Sequence, residues 1–504
     1  MELELQKETF ECFRALAPVT LEREETAETI VPDHSPDVGR IVDVSACLLT
    51  RSLAVTDGAL IASGAVRLTL LYLAEDAAGL RSLTYAVPFE HRAELPDGCA
   101  DACAEGSVCS VEARLLNPRK LFTRFVVDWK ITPYCRAAIT TCGEIAEQEQ
   151  YAIQTLCETY DASLIRGVGE REFAFSDELT LPGGREPIGE LLCERVKLRV
   201  TEAKLLGGKI VLKGVACLSL LYAAAESGKL CSYAEELPFS QIFDSDAQTD
   251  GEGSVAVALG LSESEIHSGE DGRAVTVKLF LRAFLTVSGT ARVSCITDLY
   301  STAYDLDAKL ETVELRQAPE VTIVTQSVRE QLDTGTAVKC VLSADVCFGS
   351  ASVRQDGDTA TLRAAAALSL LYLDEADTPL SLQRRIEITA EAKVSGAARA
   401  SLETVCAGDV TANVNAGGVE LRFPAEFTLV SAETPQCACL TSLSAERAEP
   451  DADAPALVLR AIEEGETLWD VAKQYRTTAE SILAANELTE SLEAGQMLLI
   501  PRGR

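Results

Sequence analysis

Along most of this chain apolar residues alternate with polar ones, then close up into short continuous runs. Ala65-Val-Arg-Leu-Thr-Leu-Leu-Tyr72 does both, and a period of two predicts a strand with one face turned inward. Turn signals stand just before such runs, at Thr56-Asp-Gly58, Gly207-Gly208 and Asp356-Gly-Asp358, where they predict hairpins. Further strands are predicted over residues 123–131, 275–281 and 419–423. Many short strands punctuated by Gly and Asp turns predict a mainly β chain of antiparallel sandwich-like or barrel-like domains. Helical spacing is rarer. It occurs over residues 143–156, read as a connector helix, and the first dozen residues are a second candidate.

The period changes near the end. Leu457, Leu459 and Ile462 fit a short opening strand, and Leu468, Val471, Ala472 and Tyr475 make one stripe at helical spacing. Thr467 stands where an N-cap hydroxyl would accept a backbone N–H. Ile482, Leu483 and Ala485 belong to a second helix, with Asn486 as a terminator that tolerates the left-handed region. Leu498, Leu499 and Ile500 form a closing strand ended by Pro501. Residues 457–504 are therefore expected to be a small βααβ domain.

A repeat organises the rest. Leu68-Thr-Leu-Leu-Tyr72 returns as Leu218-Ser-Leu-Leu-Tyr222 and Leu368-Ser-Leu-Leu-Tyr372, at steps of 150 residues. Pro32 aligns with Pro182, Gly39 with Gly189, Gly64 with Gly214 and Pro88-Phe89 with Pro238-Phe239. The third copy keeps the Leu-Leu-Tyr strand and loses the Pro-Phe pair. A period this long is a domain. The expected division is repeat 1 with an N-terminal arm over 1–140, connector and repeat 2 over 141–308, a diverged repeat 3 over 309–436, an acidic Ala/Pro linker over 437–456, and the terminal domain over 457–504.

Composition narrows the function classes. The 504 residues carry a formal charge of −33, which argues against nucleic acid or an anionic membrane as a direct partner. No run of eighteen apolar residues is present, so no direct membrane insertion is expected. The start, Met1-Glu-Leu-Glu-Leu-Gln, is acidic where a secretion signal carries cations, and a cytoplasmic location is expected. Seventeen cysteines are scattered among apolar strands, as at Cys47, Cys217, Cys340 and Cys347, with no Cys-x-x-Cys and only three histidines. They read as small buried hydrophobes rather than metal ligands, with Cys437-Ala-Cys439 the pair that stands apart.

Catalytic patterns do not assemble. Gly228-Lys229 lacks the rest of a phosphate loop, no Gly-x-Ser-x-Gly occurs, and Asp244-Ser-Asp246 with Asp250-Gly251 lacks the glycine and closing Glu of a calcium loop. No enzyme activity, cofactor or metal is expected. Asn117-Pro-Arg-Lys120 reads as a turn with two exposed cations, the alternative being an ionic contact with a neighbouring domain or partner.

Two resemblances follow from these residues. The terminal domain resembles the LysM family through Gly465-Glu-Thr-Leu-Trp-Asp-Val-Ala-Lys-Gln-Tyr475, Ser481-Ile-Leu-Ala-Ala-Asn486 and Gly495-Gln-Met-Leu-Leu-Ile-Pro501. The resemblance implies a groove for N-acetylglucosamine polymers, formed by Gly465, Glu466 and Thr467 on one side and Asn486, Glu487 and Leu488 on the other. Trp469 and Lys473 sit at i and i+4 on one helix face, the composition of a protein-binding hot spot, and Ile462 is counted with them as partner-binding. The repeats resemble SPOCS domains of spore-coat-associated proteins, through Pro36-Asp-Val-Gly-Arg-Ile-Val42, the Leu-Thr-Leu-Leu-Tyr strand and Leu116-Asn-Pro-Arg-Lys120. SPOCS repeats followed by one LysM imply a mother-cell adaptor at the forespore surface, whose LysM engages the coat ATPase SpoIVA. The alternative ligand is peptidoglycan or chito-oligosaccharide.

Overall fold

The computed structural model describes residues 1–76, 79–247, 253–449, 455–486 and 495–502. Repeat 1 contributes β1 (Leu5–Ala15), β2 (Val19–Ile30), β3 (Val38–Thr56), β4 (Ala59–Ala74), β5 (Leu80–Glu94), β6 (Cys99–Asn117) and β7 (Lys120–Ile145). Repeat 2 contributes β8 (Ile153–Thr180), β9 (Ile188–Leu206), β10 (Lys209–Ala224), β11 (Leu230–Asp244), β12 (Gly253–Ser268) and β13 (Ala274–Ser301). In repeat 3 come β14 (Tyr304–Glu314), β15 (Glu320–Leu332), β16 (Val338–Asp356), β17 (Thr359–Asp374), β18 (Pro379–Lys393), β19 (Ala398–Ala407), β20 (Thr411–Asn415), β21 (Gly418–Glu433) and β22 (Gln436–Arg447). The terminal domain is β23 (Leu457–Ala461), α1 (Leu468–Gln474), α2 (Ala479–Asn486) and β24 (Met497–Pro501).

Each repeat is a sandwich of two antiparallel sheets. One is a meander, β3-β4-β5, β9-β10-β11 or β16-β17-β18, and the other is built on β7, β13 or β21; in repeat 2 the two are joined at one edge, where β9 pairs with β12 through Lys204 and Ser254. The first meander hairpin of repeats 1 and 2 closes through two residues at positive φ, Asp57-Gly58 and Gly207-Gly208, the geometry whose twist matches the flanking strands.

The repeated Leu-x-Leu-Leu-Tyr run is the central meander strand. Leu68, Leu70 and Tyr72 point into the sandwich, and all three are buried, as are their counterparts in the other repeats. Each tyrosine hydroxyl donates to a carbonyl of the loop that enters the meander: Tyr72 to Pro36 at 3.3 Å, Tyr222 to Glu186 at 3.3 Å and Tyr372 to Thr334 at 3.2 Å. A buried phenol needs such an acceptor, which ties the entry loop to the tyrosine 36 residues on in repeats 1 and 2 and 38 residues on in repeat 3. Gly64 and Gly214 share a cause as well. A Cβ on Gly64 would lie 2.0 Å from the Leu49 carbonyl oxygen, and one on Gly214 would lie 2.3 Å from the Phe239 ring.

Leu71, Leu221 and Leu371 point the other way and meet one another. With Val42, Leu192 and Leu342 they form a hub to which each repeat gives equivalent residues. Polar contacts edge the hub. Arg195 lies 3.3 Å from Asp43 of repeat 1 and donates to Ser343 of repeat 3 at 3.3 Å, while Lys197 pairs with Asp345. Burial pushes the Asp43 carboxyl above the usual carboxylate range, and the Arg195 guanidinium opposes that push.

A second shared body was not expected from the sequence. β1 pairs with the end of β7, the start of β8 with the end of β13, and β14 with β22. The three ribbons enclose a core drawn from all of them, including Leu3, Cys142, Ile145, Ile153, Ile296, Leu299, Leu440 and Leu443. This corrects three readings. The first dozen residues form β1, not a helix. Residues 143–156 hold the end of β7, a turn and the start of β8, not a connector helix, because Ile145, Tyr151 and Ile153 are drawn into the ribbon core. The expected linker over 437–456 begins as β22, so only residues after Arg447 remain between repeat 3 and β23.

Cys12, Cys142, Cys295, Cys437 and Cys439 are buried, Cys437 lying 3.4 Å from Cys295 between their Sγ atoms. Cys340 and Cys347, expected inside, are exposed on β16. The cations of Asn117-Pro-Arg-Lys120 stay within repeat 1. Arg119 donates to the carbonyls of Val31 and Ser35 and pairs with Asp33 and Asp37, and Lys120 pairs with Glu28.

Two predictions follow from packing. Removing Arg195 leaves Asp43 buried without its cation. Arg195→Ala should cost about 3 kcal/mol in urea unfolding, whereas Arg199→Ala, which breaks an exposed pair with Glu236, should cost about 1 kcal/mol or less. Equal losses would refute the hub role. The second concerns His91, which is buried and accepts from Trp129 Nε1 at Nδ1 over 3.0 Å. Its proton therefore sits on Nε2, 3.3 Å from Glu25. Burial pushes its pKa below the usual imidazole value against the opposing pull of Glu25. A lowered folded pKa contributes stability present above about pH 6.5 and lost as pH falls through the folded value. The difference in Tm between the wild-type chain and His91→Phe should thus shrink from pH 7.5 to pH 5; a constant difference would contradict the neutral tautomer.

Candidate functional site

The terminal domain folds as a βααβ unit. Val471, Ala472, Ile482, Leu498 and Ile500 fill its core, and the two strands pair from Leu457↔Pro501 to Ala461↔Met497. Thr467 is the N-cap of α1. Its hydroxyl accepts from the Asp470 N–H at 3.2 Å, and the Asp470 carboxylate accepts from the Thr467 N–H at 3.0 Å and hydroxyl at 2.6 Å, a capping box with Asp in place of Glu. The hydrogen bonds from Thr467 hold the Asp470 carboxyl below the usual range.

Asn486 acts differently from the expectation. It ends α2 without entering the left-handed region, which Arg476 adopts instead. Its side-chain amide clamps β24: Nδ2 donates to the carbonyls of Ile482 and Leu499, and Oδ1 accepts from the Leu499 N–H, each at 2.7 Å. Glu466 is held by Arg460 at 2.8 and 3.0 Å and by the Glu463 N–H at 3.2 Å. In the expected sugar groove, the polar side chains of Glu466, Thr467 and Asn486 are therefore engaged inside the domain, while Gly465 is exposed. Glu487 and Leu488 lie outside the described residues.

Ile462, expected on the partner-binding face, is only 4% exposed and belongs to the core. An apolar side chain at the end of a strand in so small a domain is needed to build it. Trp469 and Lys473 do share a face, and repeat 2 occupies it. Asp298 of β13 accepts from Trp469 Nε1 at 2.7 Å and from Lys473 Nζ at 2.6 and 2.7 Å. Tyr300, two residues on, meets the indole edge to face at 4.9 Å and donates to the Thr477 carbonyl at 2.8 Å. Arg476 pairs with Asp305 at the rim. Burial raises the Asp298 carboxyl, but the hydrogen bonds from Lys473 and Trp469 with the Lys473 charge prevail and hold it below the usual range. A bulge between Ile296 and Asp298 aims this carboxylate outward. Sequence reasoning missed Asp298 and Tyr300, which lie more than 160 residues from α1. Their only local signal is an acid and an aromatic two apart on a strand.

Fold and face together define a multidomain protein: sandwiches joined by a hub and ribbons, carrying a small module whose helix grips a carboxylate of repeat 2. Comparison with family models agrees. Residues 37–116 and 187–259 match the model described as SipL, SPOCS domain, and residues 462–501 match the LysM domain. The chain has the SipL-like architecture, SPOCS domains followed by a C-terminal LysM domain. No curated protein and no solved structure matches it. Both families are non-catalytic binding or adaptor domains, so the chain is a sporulation-related scaffold or cell-wall-binding protein. Among the described residues no helix is long and apolar enough to cross a membrane.

Thr467 serves the helix before any ligand. Thr467→Ala should cost the module about 1 kcal/mol, read as faster hydrogen exchange at the amides of α1. Unchanged exchange would mean that the capping box does not hold in solution.

Proposed function

We propose that this chain is a non-enzymatic adaptor of spore-coat assembly. The three repeats are the scaffold, and the LysM captures a protein partner such as the coat ATPase SpoIVA on the mother-cell side of the forespore. One observation carries the reading. The face made by Trp469 and Lys473 grips a protein carboxylate, whereas the polar side chains of Glu466, Thr467 and Asn486 are already satisfied within the domain. A half-buried carboxylate held by an ammonium and an indole N–H is protein chemistry, and aromatic residues beside cations dominate protein interfaces. The LysM match itself favours a second reading, binding of peptidoglycan or chito-oligosaccharide.

One assay separates the two. The full chain and its Trp469→Ala, Lys473→Ala double variant are tested against purified SpoIVA and, in parallel, sedimented with peptidoglycan. SpoIVA should be retained by the wild type and bound on the order of thirtyfold more weakly by the double variant, as for loss of a hot spot. Retention on peptidoglycan with no SpoIVA binding would replace the adaptor reading with the cell-wall one.

A further inference from the structure

We propose that the chain caps its own capture face. In this reading Asp298 and Tyr300 are an internal ligand of the LysM, and the partner displaces them by presenting the same chemistry: a carboxylate and an aromatic ring two residues apart on one face of a β-strand. The proposal rests on the reading that this LysM captures a protein.

The geometry is that of recognition rather than chance apposition. Residues i and i+2 of a strand share a face, so Asp298 and Tyr300 reach α1 together. Asp298 uses one oxygen for both Trp469 and Lys473 and the other for Lys473 and the Leu299 N–H. Tyr300 packs on the indole and joins the module's own core, and its hydroxyl is fixed by the Thr477 carbonyl. Position, charge and ring are read at once. Arg476 adds an ion pair with Asp305 at the rim, and the chain joins the module to the repeats through residues 448–456. A short tether holds a ligand at an effective concentration on the order of millimolar. A partner presenting a larger surface around the same acid and ring can therefore compete.

Opening the face from the repeat side leaves the LysM intact. Asp298→Lys and the Asp298→Ala, Tyr300→Ala double variant of the full chain should both expose Trp469, read as a red-shifted tryptophan emission and faster proteolysis between repeat 3 and the LysM. Trp129, the only other tryptophan, is buried and supplies a constant background. Two variants serve because Tyr300 is itself buried; Asp298→Lys keeps it. Unchanged emission and cleavage in Asp298→Lys would overturn the docking.

Recognition is tested with the chain as its own probe. Mixing the Asp298→Lys chain, whose LysM is free, with a Trp469→Ala, Lys473→Ala chain, whose strand is free, at about 0.5 mM each, above the dissociation constant of about 0.1 mM that the tether and an open fraction of about a tenth imply, should give a one-to-one complex by analytical ultracentrifugation that neither chain gives alone. Failure of the mixture to associate would remove the motif. Affinity for SpoIVA should rise about tenfold in Asp298→Lys, the gain expected if the open form is about a tenth of the population. Unchanged SpoIVA affinity in a chain shown to be open would overturn the competition. Absence of SpoIVA binding in every chain would instead sink the adaptor reading while leaving the self-complex standing.

Discussion

The central strand of each meander is apolar on both faces, and the rest of the molecule follows from that. In Leu68-Thr-Leu-Leu-Tyr72 the residues at a period of two fill the sandwich, yet Leu71, on the opposite face, is buried as well. A strand hidden on both sides needs cover on both, and one sandwich supplies only one. The second cover is the same strand of the two other repeats, so Leu71, Leu221 and Leu371 converge. The arrangement explains why the repeats come as three. It also explains why charged residues such as Arg195, Lys197, Asp43 and Asp345 stand where three sheets approach: they satisfy one another at the rim of an apolar contact that alone would not fix the mutual orientation.

The long strands extend this coupling. β7, β8 and β13 pass out of the sandwiches into the ribbons without a break, so the sheets of repeats 1 and 2 that face the meanders run on into the ribbon core as continuous hydrogen-bonded ladders. Five cysteines inside or bordering that second core are small apolar fillers, which suits a space shared by three converging ribbons. The scaffold is thus clamped at two levels, and the LysM meets it at a bulge on β13, where the regular ladder is interrupted and a carboxylate can leave the sheet.

Much of this was legible in the residues. Period-two runs and two-residue turns place the meanders, the 150-residue step separates the repeats, and the change to helical spacing after Gly465 marks the terminal module. The misreadings have one cause. Residues 143–156 are rich in polar side chains because each ribbon strand buries only part of its surface, and in 437–447 a bulge at Thr441 shifts the register, so neither gives the clean alternation of a half-buried strand. β7 and β13 also begin 154 residues apart, not 150, which hid the equivalence of the ribbons from a search at fixed step. Asn486 was read through its backbone, although its side chain does the work. Ile462 looked like a surface anchor because the thinness of the module's core is not visible in sequence. Asp298 and Tyr300 were invisible for a simpler reason: nothing local distinguishes them from other strand residues until the LysM is seen against them.

The excess of negative charge gives the self-contact its logic. In a chain with a net charge of −33, any face offering an ammonium beside an indole donor is surrounded by acidic groups of its own molecule, and a general attraction would smear it over many of them. A defined position requires more than charge. Tyr300 supplies it, because an aromatic edge on Trp469 and a hydroxyl on the Thr477 carbonyl are directional where Coulomb attraction is not. Selectivity against the many other carboxylates therefore resides in the ring, while the carboxylate supplies the strength. The same division of labour sets what an external ligand needs: an acidic surface alone would meet the competition of every acid of the chain, and an acid paired with a ring on one strand face would compete with Asp298 and Tyr300 alone.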